Sequence, residues 1–144
     1  MKKTSLLGLL VFGAVSMQAQ KVDESAVPTA VKTSFQKAYP AVKTVKWEKE
    51  KSNYEANFKE GGVEESVAYE ASGKFISSEK VTEVSALPGA AIDYFAKNLP
   101  GKKIKEASEI KDANGVITYE AEVNEVDYTF DASGKYLKQE ADED

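Results

Sequence analysis

The sequence predicts an α+β fold made of two copies of one unit, each a helix followed by a four-stranded antiparallel meander. Three observations carry this: the chain repeats itself, each copy opens on residues that are apolar every fourth position, and the rest of each copy alternates with a period of two. "YEASGKFISSE" from Tyr69 recurs as "FDASGKYLKQE" from Phe130. "SAVPTAVKTSFQKAYP" from Ser25 recurs as "SALPGAAIDYFAKNLP" from Ser85, and "YEANF" from Tyr54 recurs as "YEAEV" from Tyr119. The spacings of 61, 60 and 65 residues drift as loop insertions between fixed elements would make them drift.

In chain order, residues 1–19 come first. Lys2 and Lys3, an apolar core from Leu6 to Val15 and small or polar residues up to Ala19 make a secretory signal, with cleavage expected after Ala19. The core is well short of the roughly 20 residues that span a bilayer, so no stable membrane insertion is expected after cleavage. The first repeat is placed at residues 20–83 and the second at 84–144.

Each repeat then opens its helix. Pro28 and Pro88 sit in the first turn, where a missing N–H costs nothing, and Pro40 and Pro100 end the helices. Val27, Val31, Phe35 and Tyr39 form one apolar stripe, and Leu87, Ala91, Phe95 and Leu99 form the other.

The strands follow. In the first copy Val45, Trp47, Tyr54, Ala56, Phe58, Val67, Tyr69 and Ala71 share one parity, while Lys46, Glu48, Glu55 and Glu70 share the other. In the second copy Tyr119, Ala121, Val123, Val126, Tyr128, Phe130 and Ala132 repeat the apolar set. Such alternation marks antiparallel strands with one buried face. "EGG" at Glu60, "ANG" at Ala113, "VNEV" at Val123 and the two "ASGK" stretches supply the hairpin turns. A single unit of this size buries too little to stand alone, so the two are expected to pack together, with helices on one face of the sheet or sheets and a broad polar face left open.

Composition excludes several functions. The chain has no histidine, cysteine or arginine; its positive charges are all lysines, and its net charge is −5, falling to −7 once the signal with Lys2 and Lys3 is removed. Acidic charge and missing arginine argue against nucleic acid. Without histidine or cysteine there is no ordinary nucleophile pair and no ordinary zinc or copper site, so neither an enzyme nor a cofactor is expected. "DASGK" has a single carboxylate, too few for a calcium loop. The acidic tail, Glu140 to Asp144, is expected to be frayed.

The order LP-x-A, an aromatic four residues on, a closing proline, YEA, then an acidic residue before x-S-G-K resembles the beta-lactamase-inhibitor-like, PepSY-like family of exported bacterial proteins. The resemblance covers both copies, from Val27 to Glu140, with Tyr69-Glu70 standing where the second copy has the more usual Phe130-Asp131. It implies helices packed on a sheet twice over, and a concave sheet face that meets an enzyme. It also implies a periplasmic or secreted binding domain that inhibits or regulates an extracytoplasmic hydrolase or peptidase, with another extracytoplasmic protein as partner.

Candidate partner-binding residues are Trp47, Lys46, Glu55 and Tyr136. Trp47 suits an interface anchor but shares parity with Val45, which points to the core. Tyr136 competes with Leu137 for the inside. Lys46 and Glu55 lie on the outward parity, where alternating charges also suit a solvated face. The alternative function is a carrier of a small ligand or envelope polymer, which needs a cavity between helices and sheet.

Overall fold

The computed structural model describes residues 19–141. The signal segment up to Gln18 and the tail from Asp142 lie outside the described residues. Nine strands and two helices follow in the order β1 (Gln20–Val22), α1 (Thr29–Ala38), β2 (Lys46–Glu50), β3 (Asn53–Glu60), β4 (Val63–Glu70), β5 (Phe75–Thr82), α2 (Gly89–Asn98), β6 (Glu106–Asp112), β7 (Ile117–Val123), β8 (Val126–Asp131) and β9 (Tyr136–Ala141). Neighbouring strands pair antiparallel in chain order from β1 to β4 and again from β6 to β9. By contacts the chain divides into two units, the first ending at Ser78 and the second beginning at Glu79.

This departs from a clean four strands per repeat. β1 is an added strand with Val22 opposite Trp47, too short to show a periodicity in the sequence. β5 is divided between the two units, because the boundary falls inside it.

In unit 1 the helix is short because both its ends are fixed by proline. Pro28 stands at the N-cap with extended ψ, and Tyr39, which precedes Pro40, leaves the helical region at φ −129° and ψ 62°. The ring of a following proline disfavours the α conformation in just this way. Pro88 and Leu99 repeat both features in unit 2. The stripe Val27, Val31 and Phe35 is buried against Trp47, Ala56, Phe58, Val67 and Tyr69, with Tyr39 and Tyr54 at the margin. Phe35 meets Trp47 and Phe58 edge-on at 5.5 and 5.0 Å between ring centres.

Unit 2 builds the same core from Leu87, Ala91 and Phe95 against Ala107, Ala121, Val123, Tyr128 and Phe130. The parity expected for the apolar face holds along the strands and fails at their ends. Ala71 and Ala132 are exposed, because β4 and β8 stop at Glu70 and Asp131 and the chain has already turned.

The turns explain the recurring "ASGK". Gly73 donates its N–H to the Glu70 carbonyl, and Glu70 donates to that of Lys74; Gly134 and Asp131 do the same with Asp131 and Lys135. Each is a three-residue hairpin closed by a left-handed glycine, at φ 84° and 89°. "ANG" adopts this turn as well, with Gly115 at φ 79°, so its Asn-Gly pair does not form a two-residue turn. "GG" at Gly61 and "NE" at Asn124 do form two-residue turns, with φ positive at both positions.

Glu140 and Ala141, expected to fray, belong to β9: Glu140 lies opposite Asp127 and its carboxylate takes Lys138 at 2.9 Å.

Candidate functional site

On each strand, residues one step out of phase with the core point to the face away from the helix. In unit 2 the register aligns them into three rows, one of them Ile110, Thr118 and Asp131. Glu106 lies opposite Glu122, Glu122 opposite Asp127, and Asp127 opposite Glu140. In the next row Ser108 lies opposite Glu120, Glu120 opposite Thr129, and Thr129 opposite Lys138. The second row is extended onto β5 by Glu79, whose carboxylate accepts a hydrogen bond from the Ser108 hydroxyl.

Unit 1 does not repeat this chemistry. Where unit 2 has Glu106, Glu122 and Asp127, the register of unit 1 has Lys46, Asn57 and Ser66. The first sheet face is mixed in charge, and the second carries a line of carboxylates across four strands.

The centre of the second face is not solvated. Ser108 and Thr129 are buried, Glu79 is 6% exposed and Glu120 is 7% exposed. One carboxylate oxygen of each glutamate, Oε2, is sealed from solvent and has no hydrogen-bond partner among the described residues. Burial pushes the Glu79 carboxyl up to about 7 against the opposing pull of Ser108, and Asp127 and Glu106 add to the rise. Burial likewise pushes Glu120 up to about 9, helped by the charges of Glu79, Asp127 and Glu140 and opposed by Lys138. Two carboxyls thus hold protons at a pH where exposed glutamates are ionised.

Around them the acids are partly compensated. Lys105 bonds Glu122 at 2.7 Å, and Lys138 directs its ammonium to Glu140. Among the described residues no group of three or more carboxylates is arranged to hold a metal ion. The loop carboxylate of Asp131 is occupied locally: its Oδ1 accepts from the Ser133 N–H and hydroxyl and from the Lys135 N–H.

The residues singled out in the sequence are dispersed. Trp47 is 5% exposed and wedged against Phe35, so it is part of the core and offers no ring to a partner. Its place follows from the register, which sets it opposite Ala56, a side chain small enough to leave room for an indole. Tyr136 is half-buried and stacks on Tyr94 of α2 at 4.9 Å with the rings parallel, leaving Leu137 outside at 49% exposure. Lys46 is exposed and Glu55 half-buried; they stand diagonally on the outward face of β2 and β3, since Lys46 faces Asn57 and Glu55 faces Glu48.

Sequence reasoning missed Glu79 and Glu120. Both sit at polar positions of an alternating pattern and read as solvated. A signal was present in the small residues flanking them on neighbouring strands, Ser108 and Thr129, which cannot hold a long acidic side chain out in water.

A family model described as beta-lactamase-inhibitor-like and PepSY-like matches the chain twice, over residues 13–77 and 68–138. No curated protein matches it. Among solved structures the chain is similar to a putative periplasmic protein from Bacteroides eggerthii, at 18% identity and a TM-score of 0.72, covering 80% of this chain and 88% of that one. It is similar to a DUF2874 family protein from Bacteroides uniformis at 18% identity and a TM-score of 0.72, with 79% and 88% covered. A BLIP-like protein from Bacteroides fragilis is similar at 21% identity and a TM-score of 0.67, with 79% and 86% covered. At such identities the likeness is one of fold.

Proposed function

Since the chain belongs to the beta-lactamase-inhibitor-like, PepSY-like family, we propose that it is a non-enzymatic binding domain of the periplasm or cell exterior, which engages a partner protein of basic surface through the acidic sheet face of unit 2. The single observation behind this reading is the line Glu106, Glu122, Asp127 and Glu140, in which each acid lies directly opposite the next. Like charges set opposite each other on adjacent strands destabilise a sheet. Unit 1 avoids the arrangement at the matching positions, so the fold does not require it.

A basic partner would turn that repulsion into attraction, with charge complementarity raising the rate of encounter and selecting the partner. Restraint of an extracytoplasmic hydrolase or peptidase is the form of binding that the family description favours. The rival carrier reading needs space between helix and strands. In unit 2 the Phe95 ring lies 5.3 Å from that of Tyr128 and 5.4 Å from that of Phe130, filling the space there. An enzymatic reading would fall to Glu79 and Glu120, the two acids with raised pKa, but their Oε2 atoms are closed to any substrate.

The experiment is differential capture. The chain from Gln20 and its Glu106→Lys, Asp127→Lys variant are immobilised and exposed to envelope and culture extracts of the source organism. The affinity of any protein retained by the first alone is then measured at two salt concentrations. The reading predicts a discrete partner, lost on charge reversal and weakened by salt. Equal retention by both chains, or none by either, overturns it.

A further inference from the structure

Glu79, Ser108, Glu120, Thr129 and Lys138 form one cross-strand row from β5 to β9, and the two glutamates in it are more than nine-tenths buried. We propose that Glu79 and Glu120 form a proton-operated switch, protonated in the tightly closed state of unit 2 and loosening its sheet when they ionise. The geometry supplies what such a device needs. Each carboxyl has an Oε2 that no described residue hydrogen-bonds, so an ionised form would carry charge on a sealed oxygen without a partner.

The surroundings decide the sign. From β6 the pair faces Glu106 and the hydroxyl of Ser108; from β8 it faces Asp127; from β9 it faces Glu140 and Lys138. Glu122 lies beside Glu120 on β7 and is bonded to Lys105. The cation that acts on Glu120, Lys138, is held 2.9 Å from Glu140. Glu106, Asp127 and Glu140 are acids that oppose ionisation of the pair, and the two glutamates repel each other. Two interacting carboxyls of this kind titrate as a pair, in steps spread over several pH units.

The folded state therefore binds more protons than the unfolded chain between the ordinary glutamate range and the raised range of the pair. Stability is greatest on the acid side of that window and falls as pH rises through it. At the same time up to two negative charges appear on the face assigned above to a basic partner. The switch concerns that face but is read on the isolated chain, so its failure and that of the partner assignment are separate results.

The test uses carbon-13 carboxyl NMR on the chain from Gln20, with labelled glutamate, from pH 4 to 10. Two carboxyls should titrate at or above neutrality, and Glu79→Gln and Glu120→Gln should each remove one. A titration in which every glutamate ionises in the ordinary range overturns the proposal without any variant. In parallel, amide exchange at Ser108 and Thr129 should show the opening constant of unit 2 rising at least about tenfold from pH 6 to 8. The rise should be absent in the double glutamine variant and intact in Glu125→Gln, which alters an exposed turn. Opening that is pH-independent, or that rises equally in the double variant, also overturns it.

Discussion

The carbonyl oxygen of Ala30 in α1 lies where a Cβ on Gly73 would come to 2.5 Å, so the first "ASGK" turn is closed directly onto its helix. The Ser34 hydroxyl completes the contact by donating to the Gly73 carbonyl at 2.8 Å. In unit 2 a Cβ on Gly134 would meet the backbone nitrogen of Ala91 at 2.8 Å. Left-handed backbone alone costs a residue with a side chain about 1–2 kcal/mol, and here a backbone clash is added. Gly73→Ala and Gly134→Ala should each lower stability by more than about 2 kcal/mol in urea denaturation. Gly61→Ala, at φ 58° with nothing within 4 Å, supplies the strain without the clash and should cost about half as much. Equal costs at all three positions would show that the helix contact contributes nothing.

Trp47 packed on Phe35 leads to a second prediction. Removing a large aromatic side chain from a packed core costs roughly 3–5 kcal/mol, so Trp47→Ala should unfold unit 1 or bring it close to unfolding. Lys46→Glu, one residue away on the exposed side, should leave thermal stability within about 0.5 kcal/mol. A Trp47→Phe chain that keeps its stability and its partner would confirm that the indole is structural.

These contacts show how far the sequence could be read. The helix limits followed from Pro28, Pro40, Pro88 and Pro100, and the core parity from alternation at Trp47, Ala56 and Phe58, because backbone sterics and a period of two are local properties. That Gly73 touches Ala30 was not legible, since it depends on how a turn meets a helix 43 residues earlier. The same limit hid Glu79 and Glu120. Alternation says which face a residue points to, and whether that face is wet depends on neighbours across strands, here Ser108 and Thr129. The acidic line was written in the sequence as separate acids and became a line only when the register set Glu106, Glu122, Asp127 and Glu140 side by side.

The stacked rings of Tyr94 and Tyr136 tie β9 to α2. Offset or parallel aromatic pairs contribute about 0.5–1.5 kcal/mol beyond burial, so Tyr136→Ala should lower the melting temperature measurably and deprotect the β9 amides. Leu137→Ala, at 49% exposure, should do neither. If Leu137→Ala proves the more damaging, β9 is shifted by one residue from the register that turns Tyr136 toward α2.

The final prediction concerns acid. The Ser133 hydroxyl, 2.6 Å from Asp131 Oδ1, and the N–H groups of Lys135 and Ser133 hold the Asp131 carboxyl below the usual aspartate range. A group whose folded pKa is depressed stabilises above its unfolded pKa and loses that contribution as pH falls through the folded one. The β8–β9 hairpin should therefore lose amide protection at Ser133 and Lys135 below about pH 4. Asp131→Asn, which cannot ionise, should flatten that acid limb and leave the alkaline loss caused by Glu79 and Glu120 untouched. The two limbs run in opposite directions and arise at different sites, so unit 2 should be most stable at mildly acid pH. A stability profile that rises steadily from pH 4 to pH 9 is incompatible with this arrangement of carboxyls.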